Sequence, residues 1–263
     1  MKSTKFTGLT VLITGASSGI GLAFSQALAE QGANLILTAR SKEKLHELAE
    51  YLKKKRNIWV EVIPNDLSQP NGARELFNQA SHFKVDVLIN CAGFGKWSSF
   101  SGQSMSTYRD MLNLNISSLV ELNYLFLPLM SENNMSGVIN VASTAAFQPV
   151  PFQSVYAASK SFVLNFSEAL AGEYKDKGIR VLALCPGYTE TNFMNVANGS
   201  PDGIMTRSTP EDVALSALSA FYKKKSYLVP GISNYVNSLL PRLLSRKAVI
   251  NIIHNIFKKR VLT

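Results

Sequence analysis

The feature that most constrains this chain is a turn. Thr10–Thr14, a β-branched and aliphatic run, passes into Thr14–Gly15–Ala16–Ser17–Ser18–Gly19–Ile20–Gly21, and a helical pattern over Ile20–Gln31 follows at once, closed by Gly32. Glycines permit the backbone angles and close approaches that such a turn needs, while the helix start leaves N–H groups and a favourable dipole for an anion. The rest of the chain repeats the strand–helix theme. Asn34–Thr38, Trp59–Pro64, Val87–Asn90, Val138–Val141, Arg180–Cys185 and Ser226–Val229 read as strands. Between them lie helical patterns at Glu43–Lys54, Gly72–His82, Met105–Met130 and Val155–Lys175. A looser stretch, 187–209, is followed by a helix that Thr209 caps and Pro210 opens, running to Tyr222. Strands separated by helices predict an α/β fold with a doubly wound parallel sheet, the Rossmann arrangement, over residues 1–230.

Composition permits a full core: 46% of the residues are apolar and 17% charged, which excludes a disordered or disulfide-scaffold chain. Cys91 and Cys185 belong to no metal-ligand cluster, and the three histidines are scattered, so no metal site is expected. No apolar run reaches the ~18 residues of a membrane span, signal-peptide architecture is missing, and a cytoplasmic protein is expected. The net charge of +9 is unevenly placed. Residues 1–212 hold 18 basic and 18 acidic side chains, whereas nine basic residues and no acid follow Asp212.

The turn at 14–21 is the expected diphosphate cradle of a dinucleotide site. Arg40, at the end of the second strand, occupies the position where NAD-selective folds put a carboxylate, and it points to NADP through its 2′-phosphate, with Ser41 and Lys44 as helpers. Asp66 is a candidate acceptor for the adenine amino group. Asn90–Cys91–Ala92–Gly93 places small residues where the ribose or nicotinamide crosses the sheet edge. Ser143, Tyr156 and Lys160 follow the fifth strand, and the last two, four apart, share a helical face. An ammonium beside a phenol favours the phenolate and draws its pKa toward the working range, and Ser143 can hold a carbonyl or alkoxide oxygen.

These motifs together resemble the short-chain dehydrogenase/reductase family over roughly residues 8–230. TGASSGIG at 14–21, NCAG at 90–93, Asn115 in LNLN, Ser143 in VASTAA, YAASK at 156–160 and PGYTET at 186–191 stand in the family's order and spacing. The chain looks most like the general carbonyl, 3-oxoacyl reductase and hydroxysteroid dehydrogenase members. The resemblance implies hydride transfer between NADP(H) and a carbonyl substrate, with Tyr156 as acid/base, Lys160 on the nicotinamide ribose and Ser143 on the substrate oxygen. Asn115 would bend its helix and anchor a water linked to Lys160. Cofactor contacts would come from Gly15, Ser17, Ser18, Gly19, Ile20, Gly21, Arg40, Asp66, Asn90, Ala92, Gly93, Tyr156, Lys160, Pro186, Gly187, Thr189 and Thr191. Cys91 departs from the family's more usual asparagine. The resemblance also implies a homodimer or homotetramer built on the helices that carry Asn115 and Tyr156.

Substrate contacts are expected from Ser143, Phe94, Phe147, Phe152, Tyr188 and Phe193, with Trp97, Pro149 and Met194 nearby; this apolar, aromatic set points to a hydrophobic ketone or 3-oxoacyl compound. Two other readings compete: an NAD-dependent alcohol or hydroxysteroid dehydrogenase working oxidatively, and a non-catalytic, nucleotide-sensing, membrane-associated scaffold. Residues 231–263 read as a basic helical extension in which Pro241 breaks any single long helix. Val249, Ile252, Ile253, Ile256 and Phe257 form an apolar stripe bracketed by Arg246, Lys247 and Lys258–Arg260. That stripe either packs on the protein or makes peripheral contact with an anionic membrane. No nucleic-acid partner is expected, because the segment carries no reading motif.

Overall fold

A computed structural model describes residues 5–131, 135–197 and 207–261. Its centre is a seven-stranded parallel sheet: β1 (Thr10–Thr14), β2 (Asn34–Thr38), β3 (Val60–Val62), β4 (Val87–Asn90), β5 (Gly137–Val141), β6 (Arg180–Leu184) and β7 (Tyr227–Leu228). The spatial order is β3-β2-β1-β4-β5-β6-β7, so strand order reverses between β1 and β4 and a crevice opens at their carboxyl ends. Both faces are covered, which is why β1, β4 and β5 are buried at every position. Helices α1 (Gly19–Glu30), α2 (Lys42–Lys55) and α3 (Gly72–Ala80) follow the first three strands. Parallel pairing of β3 with β2 covers only Val60 to Val62, a shorter strand than the β-branched run predicts.

The helical region after β4 is not continuous. α4 (Met105–Leu112) gives way to a π-helical turn, Asn113–Ser117, before α5 (Ser118–Phe126); Pro128 lies in a 3-10 turn, Leu127–Leu129. The widened turn buries Asn115 between the elements it must join. Beyond β5 come a 3-10 turn, Thr144–Phe147, and α6 (Ser154–Glu173); beyond β6 come α7 (Phe193–Ala197) and α8 (Pro210–Tyr222). The Thr209 hydroxyl accepts from the Asp212 N–H at 3.1 Å, as the capping pattern requires. After β7, α9 (Ile232–Leu243) and α10 (Arg246–Val261) return over the body. Pro241 lies inside α9, in its last turn, and the chain breaks after Leu243.

One buried polar cluster ties together the elements that carry the site. Asn140 on β5 accepts from the Asn90 amide at 2.9 Å and the Asn123 amide at 3.2 Å, and donates to the Ser167 hydroxyl at 3.0 Å. β4, β5, α5 and α6 are thereby pinned through side chains as well as through the apolar core. Replacing Asn140 by leucine strips Asn90 and Asn123 of a partner where water has no access. The expected result is a loss of about 2–4 kcal/mol of unfolding free energy in urea titration, and an unchanged midpoint would contradict it.

Candidate active site

β1 ends on Thr14, whose hydroxyl accepts from the backbone N–H groups of Cys91 and Ala92, both at 2.9 Å. One side chain therefore joins the exits of the two strands that flank the crevice. Gly15 has φ +68°, and a Cβ there would lie 3.0 Å from Ala92 Cα; at Gly21 a Cβ would lie 2.2 Å from the Gly15 carbonyl oxygen. Gly19, at φ +54°, packs against Thr191, so the PGYTET segment closes on the turn from the other side. α1 has no acid in its first turn, and the hydroxyl of its Ser18 cap makes no capping bond. The turn is a cradle with free donors at a positive helix end, and its tightness excludes side chains where main chain must approach a ligand.

Arg40 is exposed directly beyond β2. Asp66, beyond β3, takes bonds from the Ser68 N–H at 3.0 Å and the Ser68 hydroxyl at 2.7 Å, both on Oδ1. Burial pushes its carboxyl up, but the Ser68 bonds, with Gln69 and Arg40, outweigh burial and hold it below the usual range. The Asn90 amide is spent on Asn140, and its Oδ1 is buried without a partner among the described residues, so its main chain is the part left to the crevice side of NCAG. Cys91 lies against the core below; burial pushes its thiol up to about 12, with Lys160 opposing, which fits a filler and not a reactive thiol.

Ser143, Tyr156 and Lys160 come together at the end of β5 and the first turns of α6. The buried Lys160 ammonium donates to the Val141 carbonyl at 2.8 Å and stands 5.9 Å from the centre of the Tyr156 ring. Burial lowers its pKa to about 8, against the pull of Cys91 and Cys185. Burial raises Tyr156 to about 12, and the hydrogen-bonded Ser143 hydroxyl opposes the rise. The expected pull of lysine on the phenol is thus overridden in this closed site, because desolvation penalises both charged forms. Asn115 binds the Phe94 backbone in both senses, donating at 3.0 Å and accepting at 3.2 Å, and its amide also reaches Ser159 Oγ at 3.1 Å. Ser159 in turn donates to the Tyr156 carbonyl at 2.7 Å. Sequence reasoning missed Thr14 and Ser159 as positioning residues, although both sit inside the motifs quoted for other reasons. A Cβ at Gly93 would meet Asn115 Oδ1 at 3.0 Å and Lys160 Nζ at 3.2 Å, so this glycine keeps the lysine head accessible from the crevice.

The substrate side is apolar. Phe94, Phe152 and Phe193 gather around Tyr156 together with Trp97, Tyr108, Met111 and Val150. Phe152 has φ +67°, a costly angle for a side chain with Cβ (about 1–3 kcal/mol), held by the Ser98 N–H on its carbonyl at 3.0 Å. Two expected members do not join. Phe147 packs with Leu119, Val163 and Val229 on another side of its turn, because the 3-10 geometry of Thr144–Phe147 directs it there, and Tyr188 belongs to none of the apolar clusters. The Met194 side chain and residues 198–206 of the loop lie outside the described residues. A further wall comes from α10, whose apolar stripe packs on the protein, the first of the two alternatives for it. Phe257 meets Trp97 at 4.6 Å between ring centres, His254 meets Phe152 at 5.4 Å, and Ile253 and Ile256 pack on the same cluster. The stripe was legible, but its destination was not. Ile252, counted in it, is 48% exposed instead.

A family model described as short chain dehydrogenase matches residues 9–201. The ketoacyl reductase HetN of Nostoc sp. is 31% identical over 245 residues, spanning 92% of this chain and 85% of that protein. A very-long-chain 3-oxoacyl-CoA reductase of Rattus norvegicus is 28% identical over 247 residues, 92% of this chain and 79% of that one. Among solved structures, the short-chain dehydrogenase from Sphingobium yanoikuyae in complex with NADPH superimposes with a TM-score of 0.81 at 28% identity, covering 89% of this chain and 93% of that chain.

Lys160 allows a test of the site's electrostatics. With its folded pKa near 8 and an unfolded value near 10.5, the ammonium costs stability below pH 8, and that cost fades as pH rises from 8 to 10.5. Lys160→Met is expected to abolish turnover yet gain about 2–4 kcal/mol of stability at pH 7, the gain shrinking toward pH 10. Paired melts at the two pH values check this, and a variant less stable than the parent at pH 7 would refute it.

Proposed function

Because the chain belongs to the short-chain dehydrogenase/reductase family, it is an NADP(H)-linked oxidoreductase of carbonyl and alcohol groups, and we propose that it reduces a hydrophobic ketone or 3-oxoacyl compound. The observation that carries this reading is the placement of Tyr156 beside the buried Lys160 ammonium at the end of β5, inside an aromatic pocket. The names of the relatives from Nostoc sp. and Rattus norvegicus support a 3-oxoacyl substrate.

The glycine cradle fits a dinucleotide, since Gly15, Gly19 and Gly21 let the turn close against Ala92, Thr191 and its own main chain, which leaves backbone N–H groups at the helix start to meet a diphosphate. In this reading Gly15, Ser17, Ser18, Gly19, Ile20 and Gly21 hold the diphosphate, Arg40 pairs with the 2′-phosphate, and Asp66 accepts from the adenine. The main chain of Asn90, Ala92 and Gly93 lines the ribose, Tyr156 and Lys160 bind the nicotinamide ribose, and Pro186, Gly187, Thr189 and Thr191 border the ring. When bound, NADPH supplies the hydride. Ser143 orients the substrate oxygen, and Tyr156 gives it a proton as negative charge develops there. The Lys160 ammonium stabilises the phenolate left behind, and Asn115, through Phe94 and Ser159, keeps both side chains in register.

Residues 1–230 then form the catalytic domain, and the extension 231–263 covers its substrate side. Exposed Leu112, Tyr124 and Phe162, on α4, α5 and α6, support a homo-oligomer through those helices. Both cysteines are free, which supports a cytoplasmic location. No helix among the described residues is long and apolar enough to cross a membrane, and the contact proposed with one is peripheral.

A panel of hydrophobic ketones and 3-oxoacyl thioesters tests the reading through NADPH oxidation. Turnover is expected on at least one of them, lost about a thousandfold or more in Tyr156→Phe. Arg40→Ala is expected to weaken NADPH binding about ten- to a hundredfold while leaving NADH unchanged. Silence across the panel would favour the scaffold, and equal affinity for NADH in the parent would favour the oxidative NAD enzyme.

A further inference from the structure

α9 is inside out. The side chains it buries are polar: Asn234, whose amide donates to the Pro230 carbonyl at 2.9 Å and whose head fills the space a Cβ on Gly187 would need, and Ser238, which donates to the Tyr235 carbonyl at 2.7 Å. Its apolar side chains, the half-buried Leu239 apart, face solvent. Ile232, Val236 and Leu243, spaced four and seven apart, run along one line of the helix, with Tyr235 and Leu240 beside it; Ile232 is 86% and Leu243 81% exposed. Leu244 continues the strip around the corner to α10 and is also exposed. A soluble helix normally turns such a stripe to the core, and scattered exposed leucines need no explanation, but a continuous line opposite a polar buried face does.

The charges at this corner identify what covers it. Arg242, Arg246 and Lys247 are all exposed, make no ion pair among the described residues, and immediately flank Leu243 and Leu244. No acidic residue lies anywhere in the 51 positions after Asp212. A second copy of the chain pairing through α9 about a two-fold axis would bring these cations against their own kind. An anionic lipid headgroup layer offers the opposite: negative charge at the level of the guanidinium and ammonium groups, and an acyl boundary for the leucines, valine and isoleucine.

We infer that the outer face of α9 and its corner with α10, from Ile232 to Lys247, is a docking surface for an anionic bilayer. Of the two resting places expected for it, the α10 stripe takes the inward one on the substrate pocket, and the exposed apolar stripe lies on the helix before it. The inference deepens the peripheral contact proposed above and rests on that reading for the kind of partner. The buried side of α9 contacts Gly187, and α10 walls the pocket, so a docked molecule would present the cover of its substrate site to the bilayer, where hydrophobic carbonyl compounds partition.

Co-sedimentation of the full chain with vesicles decides it, using phosphatidylcholine alone and a mixture in which one lipid in three is phosphatidylserine. Binding is expected only to the anionic vesicles and is expected to weaken with salt. Arg242→Gln/Arg246→Gln/Lys247→Gln should lose about a hundredfold, near fivefold per cation, and Val236→Asp/Leu243→Asp about tenfold or more. NADPH-dependent turnover of a water-soluble carbonyl, measured without vesicles, should be unchanged in both variants, so failure of docking is read separately from failure of the reductase reading. Equal binding to neutral vesicles, no binding to anionic ones at low salt, or loss of oligomer mass in Val236→Asp/Leu243→Asp by sedimentation velocity would overturn the assignment, the last in favour of a second copy.

Discussion

The Lys160 ammonium lies out of water between the end of β5 and the first turns of α6, and the neighbouring structure is arranged around keeping it there. Val141 offers a carbonyl at 2.8 Å, which partly offsets the loss of hydration. Gly93 leaves the space beside the head group open, and the π-helical turn at Asn113–Ser117 brings Asn115 to the same spot. A charge held at this cost is set against a phenol that burial keeps protonated. The two penalties oppose each other chemically: a proton leaving Tyr156 creates the negative charge that Lys160 lacks. At neutral pH the phenol therefore holds the proton that a carbonyl reduction would draw from it, and Lys160 is the charge beside the phenolate that would be left.

Holding such a pair requires rigid supports from several strands at once. The Asn90–Asn140–Asn123–Ser167 cluster locks β4, β5, α5 and α6 beneath the site, and Thr14 locks β1 to the exit of β4 above it. Close packing of Gly15 on Ala92 and of Gly19 on Thr191 brings the segments 14–21, 90–93 and 186–191 together at the crevice. The extension then completes the pocket from outside, with Asn234 against Gly187 and Phe257 against Trp97. Its two helices divide the work: α10 buries its apolar stripe, and α9 shows its own.

Much of this was legible in the residues. The doubly wound parallel sheet follows from the turn at 14–21 and the alternation after it, because a parallel sheet covered on both faces writes near-continuous apolar runs. Tyr156 and Lys160 were readable from spacing, since four residues apart means one helical face. Other features depend on contacts that no local pattern encodes. Asn115 was found by resemblance, but the π-helical turn that positions it was not, for LNLNIS is as compatible with ordinary helix. Asn90 was legible as part of NCAG, but the bond its amide makes to Asn140, fifty residues away in sequence, was not. The pKa of Tyr156 was expected to fall, and burial reverses that. Hydrophobic periodicity showed that residues 245–257 have an apolar stripe, yet periodicity carries no address: which face of which neighbour it meets is settled by tertiary packing.

The paired ionisation of Lys160 and Tyr156 is read most directly from the pH dependence of kcat/KM for the carbonyl substrate at saturating NADPH. Reduction requires the phenol protonated and the ammonium charged. With Lys160 near 8 and Tyr156 near 12, the profile should be level at neutral pH and fall about tenfold per pH unit above 8, as the ammonium is lost. A profile that stays level to pH 10, or one that rises through pH 8, would contradict the account.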